Sequence, residues 1–216
     1  MNDFHKDESK NEILKVQDLV FKYSDQIVFS GWEFKFNSGV TWLKGRNGSG
    51  KSTLLKLLAG ALKPTIGDIE IMGIKLKIAP LQYQKQVFYC GPGPIVFDHL
   101  TPSEFFGFMR NLYPNCHENN LTQNISGFDL TNSLHIPLKT LSTGTQRKVW
   151  LAFALAAASK VTLLDEPFNA LDSKSLVYLR TSLGNLSKDT SRLWIVASHE
   201  YLGDGILVTQ TLEMTR

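Results

Sequence analysis

The stretch Gly45-Arg46-Asn47-Gly48-Ser49-Gly50-Lys51-Ser52-Thr53 decides the fold, because it follows the apolar run Val40-Thr41-Trp42-Leu43 and precedes Leu54-Leu55-Lys56-Leu57-Leu58-Ala59. A strand, a glycine-rich turn and a helix start stand in the order that a phosphate-binding loop requires. Glycines without Cβ let the backbone curl until successive N–H groups face phosphate oxygens, and the N-terminus of the following helix adds partial positive charge. Lys51 is placed to reach the β- and γ-phosphates, the Ser52 hydroxyl to hold Mg²⁺, and Thr53 to lie near the α-phosphate. A nucleotide site is therefore expected at residues 45–53.

Working outward, Val161-Thr162-Leu163-Leu164-Asp165-Glu166-Pro167 reads as a short buried strand ending in two carboxylates. The C-terminal ends of such strands are where open α/β sheets bind ligands. Adjacent acids there divide the labour, Asp165 for the Mg²⁺ shell and Glu166 to polarise a water. A second buried strand, Ser191 to Ser198, ends at His199. If it lies beside the first, the same sheet edge brings His199 to the γ-phosphate. Thr140-Leu141-Ser142-Thr143-Gly144-Thr145-Gln146-Arg147-Lys148 opens an Ala/Leu-rich helix running to Ala158 whose first N–H groups are free to face an anion.

Upstream of the loop, Glu12 to Phe21 and Ile27 to Phe36 alternate imperfectly and read as strands. Tyr23, in the loop between them, is placed to stack on an adenine base, although a partly buried ring is the commoner use of such an aromatic. Downstream, the helix from Lys51 ends near Gly60 to Pro64. Short strands follow at Gly67 to Gly73 and Gln86 to Tyr89, then a Gly-Pro loop, Cys90-Gly91-Pro92-Gly93-Pro94. Thr101-Pro102-Ser103-Glu104 combines an N-cap, a proline at the first helical position and a capping-box Glu. The helix it opens carries Phe105, Phe106, Phe108, Met109 and Leu112, either core residues or a docking patch. Residues 115–139 read as short helices and loops, Asn169 to Asp172 as a turn into a helix through Leu186, and Gly205 to Met214 as one or two closing strands.

The bounds are those of an ordinary globular chain. It has 216 residues, 43% hydrophobic and 20% charged, enough for one core with a polar tail at Met1 to Lys10. A net charge of +3 with scattered Lys and Arg gives no footprint for nucleic acid, and none is expected as a partner. The longest apolar run, Val149 to Ala158, is about half of the ~20 residues a membrane helix needs, and the start lacks an apolar signal core. Cys90 and Cys116 read as reduced thiols, and no protein-held zinc is expected. A cytoplasmic location is expected.

Tyr23, the 45–53 loop, Leu141-Ser142-Thr143-Gly144, Leu163-Leu164-Asp165-Glu166, Asn169-Ala170-Leu171-Asp172 and His199 occur in an order that resembles the nucleotide-binding subunits of ABC transporters. The resemblance spans nearly the whole chain and implies an α/β P-loop NTPase (RecA-like) core, three-layer α/β/α, with an antiparallel β-subdomain and a helical subdomain at about 91–145. Residues 11–216 would form one ATP-binding domain. It implies ATP and Mg²⁺ as cofactors, with Ser52 and Asp165 on the metal and Lys51, Glu166 and His199 as catalytic residues. Tyr23, residues 45 to 53, Ser142, Gly144 and Asp172 would contact nucleotide, Ser142 and Gly144 reaching the γ-phosphate held by a second copy.

The implied partners are a transmembrane permease subunit and another ATP-binding subunit, as a homodimer or heterodimer, on the cytoplasmic face of the inner membrane. The compact helical lobe and the lack of a C-terminal extension look similar to small exporter ATPases such as the haem-exporter subunit of cytochrome c maturation. Two departures stand out. Thr143 and Thr145 replace a glycine and the glutamine of the usual Leu-Ser-Gly-Gly-Gln. The family's loop glutamine, which touches Mg²⁺ and links hydrolysis to the membrane partner, falls near Pro92, where none exists. A soluble ATP switch without a permease, and a degenerate subunit with weak ATPase activity, remain the alternative readings.

Overall fold

The computed structural model describes residues 12–24, 26–92 and 97–215. The expected polar tail at Met1 to Lys10 and the Gly93-Pro94 part of the Gly-Pro loop lie outside the described residues.

Two sheets carry the chain. Strands β1 (Glu12–Tyr23), β2 (Gln26–Asn37), β4 (Ile66–Ile71) and β5 (Ile74–Lys75) form an antiparallel sheet in the order β2-β1-β4-β5. Strands β3 (Gly39–Lys44), β6 (Val87–Cys90), β7 (Val161–Asp165), β8 (Leu193–Ser198) and β9 (Val208–Glu213) form a parallel sheet in the order β6-β7-β8-β3-β9. Helices α1 (Lys51–Leu58), α2 (Pro80–Gln84), α3 (Pro102–Leu112), α4 (Glu118–Gly127), α5 (Thr143–Ala156) and α6 (Ser173–Leu186) complete the mixed α/β architecture.

The central strands are apolar at almost every position because the parallel sheet is covered on both faces. Side chains of a strand point alternately to opposite faces, and here the alternation sorts them into two cores. Val87, Leu163, Leu193, Ile195 and Ala197 pack with Leu54, Leu55, Leu57 and Leu58 of α1 and with the inner side of the antiparallel sheet. Phe88, Cys90, Leu164, Trp194 and Val196 pack with α3, α5 and α6. Helix α5 is apolar on most of its circumference, Val149 to Ala156 being buried apart from Trp150, which suits a helix enclosed by sheet and neighbouring helices.

In the helical lobe, α3 begins with the expected capping box: Glu104 N–H donates to the Thr101 hydroxyl and the Glu104 carboxylate accepts from the Thr101 N–H. Phe105 and Phe106 are buried, while Phe108 and Leu112 stay exposed. Between 115 and 139 the chain holds a full helix, α4, more regular than its Asn-rich sequence suggests. Tertiary bonds account for it, since the buried Asn124 donates to the Ala152 carbonyl at 2.9 Å and accepts from the Tyr178 hydroxyl at 2.7 Å. A buried polar group so satisfied locks one arrangement.

Tyr113, at the C-terminal end of α3, ties this lobe to the sheet by donating its hydroxyl to the Val87 carbonyl at 2.8 Å. Burial pushes its phenol up to about 12. Tyr113→Phe is expected to cost about 1 kcal/mol at neutral pH through the lost buried bond. Because the folded-state value is raised, the wild-type contribution is complete below pH ~10 and is lost as pH rises toward about 12, the unfolded chain shedding its proton first. The gap between the two proteins in urea denaturation at pH 8, 10 and 11 should therefore narrow with pH.

Candidate active site

Four of the parallel strands deliver their C-terminal ends to one edge. Lys44 of β3 is in register with Ser198 of β8, Asp165 of β7 with Ala197, and Cys90 of β6 with Leu164. This register brings the phosphate loop after β3, the carboxylates ending β7 and His199 after β8 together.

The loop curls as its glycines allow. Gly48 and Gly50 have φ of +80° and +97°, in the left-handed region that glycine tolerates, and Gly50 is the N-cap of α1 with no side chain capping the helix. The first amides of α1 are left for an anion. A Cβ on Gly45 would lie 2.5 Å from Ser49 Oγ and 2.9 Å from the Met214 carbonyl, so only glycine fits. Ser49 Oγ is buried with no hydrogen-bond partner.

Lys51 is the charge centre. Its side chain is only 5% exposed, and its Nζ donates to the carbonyls of Gly45 at 2.7 Å and Arg46 at 3.3 Å. It also lies 3.2 Å from Glu166 Oε1, an ion pair without hydrogen-bond alignment, since that oxygen has no bonded partner. Glu166 Oε2 in turn meets His199 Nδ1 at 2.9 Å. Lys51, Glu166 and His199 thus form a continuous array along the sheet edge. Glu166 has φ of +48°, an uncommon conformation for a residue with a Cβ and one that clusters at functional sites.

Asp165 is fully buried; its Oδ2 accepts from the Tyr89 hydroxyl at 3.2 Å, while Oδ1 has no partner. An orphaned buried carboxylate oxygen beside a phosphate loop fits a hard cation, which takes oxygen ligands. Burial and the adjacent Asp165 charge hold the Tyr89 phenol well above its ordinary value, keeping it a donor. Gly91 leaves room for this ring, since a Cβ there would sit 2.0 Å from the Tyr89 hydroxyl.

A cleft of about 660 Å³ runs from the loop toward β2, within the range that small-molecule sites span. Among the expected residues, Tyr23, Asn47, Gly48, Ser49, Gly50, Lys51, Ser52, Thr53 and Glu166 line it. Tyr23 is 47% exposed and sits edge-on to Phe21. Gly45 and Arg46 contribute the carbonyls that hold Lys51. Ser142, Gly144 and Asp172 are not part of this lining. Ser142 caps α5 through its Oγ, which accepts from Thr145 N–H at 3.1 Å. Asp172 pairs with Lys148 and caps α6 through the Ser175 N–H, and these partners, Lys148 foremost, hold its carboxyl well below the usual range.

Residues not anticipated also line or support the site. Trp32, Met214 and Thr215 line the cleft, and Tyr89 and Arg147 bond to the carboxylate segment. Arg147 and Lys148 carry no local signal in the sequence, since cations in the second turn of a helix read as solvated surface charges.

The parallel sheet, the loop at its edge and the facing carboxylates define a nucleotide-binding protein of the phosphate-loop class. Residues 29–169 match the family described as ABC transporter. Over 201 residues the chain is 30% identical to the cytochrome c biogenesis ATP-binding export protein CcmA of Cupriavidus pinatubonensis, covering 92% of this chain and 88% of that one. It is 34% identical over 172 residues to the CcmA of Legionella pneumophila (strain Lens), covering 79% and 85% of the two chains. A solved ATP-binding subunit of an ABC transporter superposes with a TM-score of 0.79 at 27% identity, over 87% of this chain and 79% of that one. The chain belongs to the ABC transporter family and is one of its ATP-binding, ATP-hydrolysing subunits.

Proposed function

We propose that this subunit binds MgATP in the loop-lined cleft, closes the site against a second ATP-binding subunit and, by hydrolysing the γ-phosphate, drives a separate transmembrane permease from the cytoplasmic face of the membrane. The Lys51–Glu166–His199 array is the observation that carries this reading. It places a cation, a carboxylate and an imidazole in contact at the mouth of an anion-binding loop.

Tyr23 stacks on the base, and the amides of residues 48 to 53 wrap the phosphates. Lys51 turns its ammonium from Glu166 to the β- and γ-phosphates. Freed of that ion pair, Glu166 accepts a proton from the attacking water, and His199 holds the carboxylate and contacts the γ-phosphate. Ser52 and Asp165 would hold Mg²⁺, which neutralises charge on the phosphate oxygens. Most of the acceleration comes from positioning and charge complementarity.

Ser142 and Gly144 lie outside the cleft, as groups serving a second copy's nucleotide do. The exposed Phe108 and Leu112 on α3 form an apolar surface suited to a permease. Among the described residues no helix is long and apolar enough to cross a membrane, so a separate spanning partner is part of the proposal. The relatives named for cytochrome c biogenesis export, and a structural neighbour titled as part of the cbiONQ complex, favour a transporter subunit over a free-standing switch.

Light scattering of the Glu166→Gln protein with and without MgATP tests the paired site. A doubling of mass with ATP, absent with ADP, is expected; a monomer under both conditions refutes the pairing. Recovery of a multi-spanning protein when the chain is purified from detergent-extracted membranes tests the permease, and recovery with ribosomes or DNA instead would replace it with the switch reading.

A further inference from the structure

Helix α5 grips the chain's own catalytic segment at three points. Arg147 Nη2 donates to the backbone carbonyl of Asp165 and, at 3.1 Å, to that of Glu166. Gly144 approaches the Ala170 carbonyl so closely that a Cβ would lie 2.6 Å from it. Lys148 pairs with Asp172, the cap of α6. Positions 144, 147 and 148 share one helix face, and that face spans the segment from the end of β7 to the start of α6.

The segment needs holding. Glu166 and Ala170 both have positive φ, at +48° and +62°. Such residues persist only where their surroundings over-determine them. Glu166 N–H donates to the Ala197 carbonyl at 2.9 Å, which fixes one side of the turn. Its carbonyl takes Arg147 and a longer bond from Asn169 N–H at 3.3 Å. Both bonds leave one nitrogen, Nη2, which bridges the two consecutive carbonyls.

We infer that Arg147 is a positioning residue for hydrolysis, holding the turn that aims Glu166 and, because it rides on the helix whose start carries Ser142 and Gly144, linking that aim to engagement of a second copy's nucleotide. The linkage rests on the paired-site reading above. When Ser142 and Gly144 close on the partner copy's phosphate, α5 moves as a rigid element, and Arg147 carries the Asp165–Glu166 backbone with it.

The test uses Arg147→Ala and Arg147→Lys in the full chain. ATP turnover is measured against ATP concentration, and ATP-dependent dimerisation is followed for each substitution combined with Glu166→Gln. Arg147→Ala should lower kcat about ten- to a hundredfold, the range that a small misplacement of a catalytic group produces. KM should stay within about twofold and the Hill coefficient should fall toward one, while MgATP still dimerises the double variant. Arg147→Lys should recover part of kcat, because its ammonium keeps a charged donor on the same helix face toward these carbonyls.

Wild-type kcat and Hill coefficient in Arg147→Ala, with dimerisation intact, overturn this inference and leave the paired site standing. Parallel losses of kcat, nucleotide binding and thermal stability, with no recovery by lysine, reduce Arg147 to a structural contact and overturn it as well. No ATP-dependent dimer of the Glu166→Gln protein itself overturns the linkage together with the paired-site reading.

Discussion

Glu166→Gln is expected to lower ATP turnover by about 10²–10⁴-fold, the range for losing a positioned general base, while tightening the binding of ATP. The first effect follows from chemistry, since an amide cannot take a proton from water. The second follows from geometry. In the array at the sheet edge the Glu166 carboxylate stands 3.2 Å from the Lys51 ammonium, and both side chains are largely withdrawn from solvent, 15% and 5% exposed. The γ-phosphate must displace that carboxylate to claim the same cation. A neutral isostere removes the competitor and leaves the shape of the cleft unchanged.

Steady-state turnover together with equilibrium titration of a fluorescent ATP analogue reads both effects. Unchanged turnover refutes the assignment of Glu166. Weaker binding refutes the competition.

Lys51→Ala should weaken nucleotide binding by about 10²-fold or more. Charge-assisted hydrogen bonds are worth about 1.5–3 kcal/mol each, and the ammonium is placed to make at least two to phosphate oxygens. A second loss adds to the first, because the same Nζ ties together the carbonyls of Gly45 and Arg46. Without it the loop relaxes, and Glu166 keeps a poorly solvated charge with only His199 left beside it. The variant should show faster amide exchange across residues 45 to 50 even without nucleotide. Retention of wild-type affinity would remove Lys51 from the phosphate site.

Arg147 shows how unevenly the site could be read in the linear chain. The phosphate loop was plain, because its nine residues act on one another locally. The strand ending in Asp165 and Glu166 was plain for a related reason, since a run buried on both faces must be apolar throughout. His199 carried no comparable signal. Only the pairing of β7 with β8, Asp165 opposite Ala197, sets its ring 2.9 Å from Glu166. Tyr89 reads as one more strand residue until β6 is seen beside β7, where its hydroxyl meets Asp165. Arg147 reads as a helix-surface cation until α5 is docked against the carbonyls that it holds.

Secondary structure divides in the same way. Helix α3 announces itself through Thr101, Pro102 and Glu104, a local cap. Helix α4 does not, because its order depends on Asn124 finding Ala152 and Tyr178, 28 and 54 residues away. Helix α2 and strand β5, five and two residues long, are too short for a periodic pattern to mark them.

The sequence by itself determined that this chain holds a phosphate loop, that two buried strands end in a carboxylate pair and a histidine, and that its core is α/β. Backbone curl and capping are dictated by neighbours in the chain, and burial on both faces leaves its mark as an unbroken apolar run. Tertiary structure alone decided the strand order β6-β7-β8-β3-β9, and with it the Lys51–Glu166–His199 array and the hold of Arg147 on the Glu166 turn. Charges and hydrogen bonds act over a few ångströms of space whatever the separation along the chain, so the site came into being only when sheet pairing closed those distances.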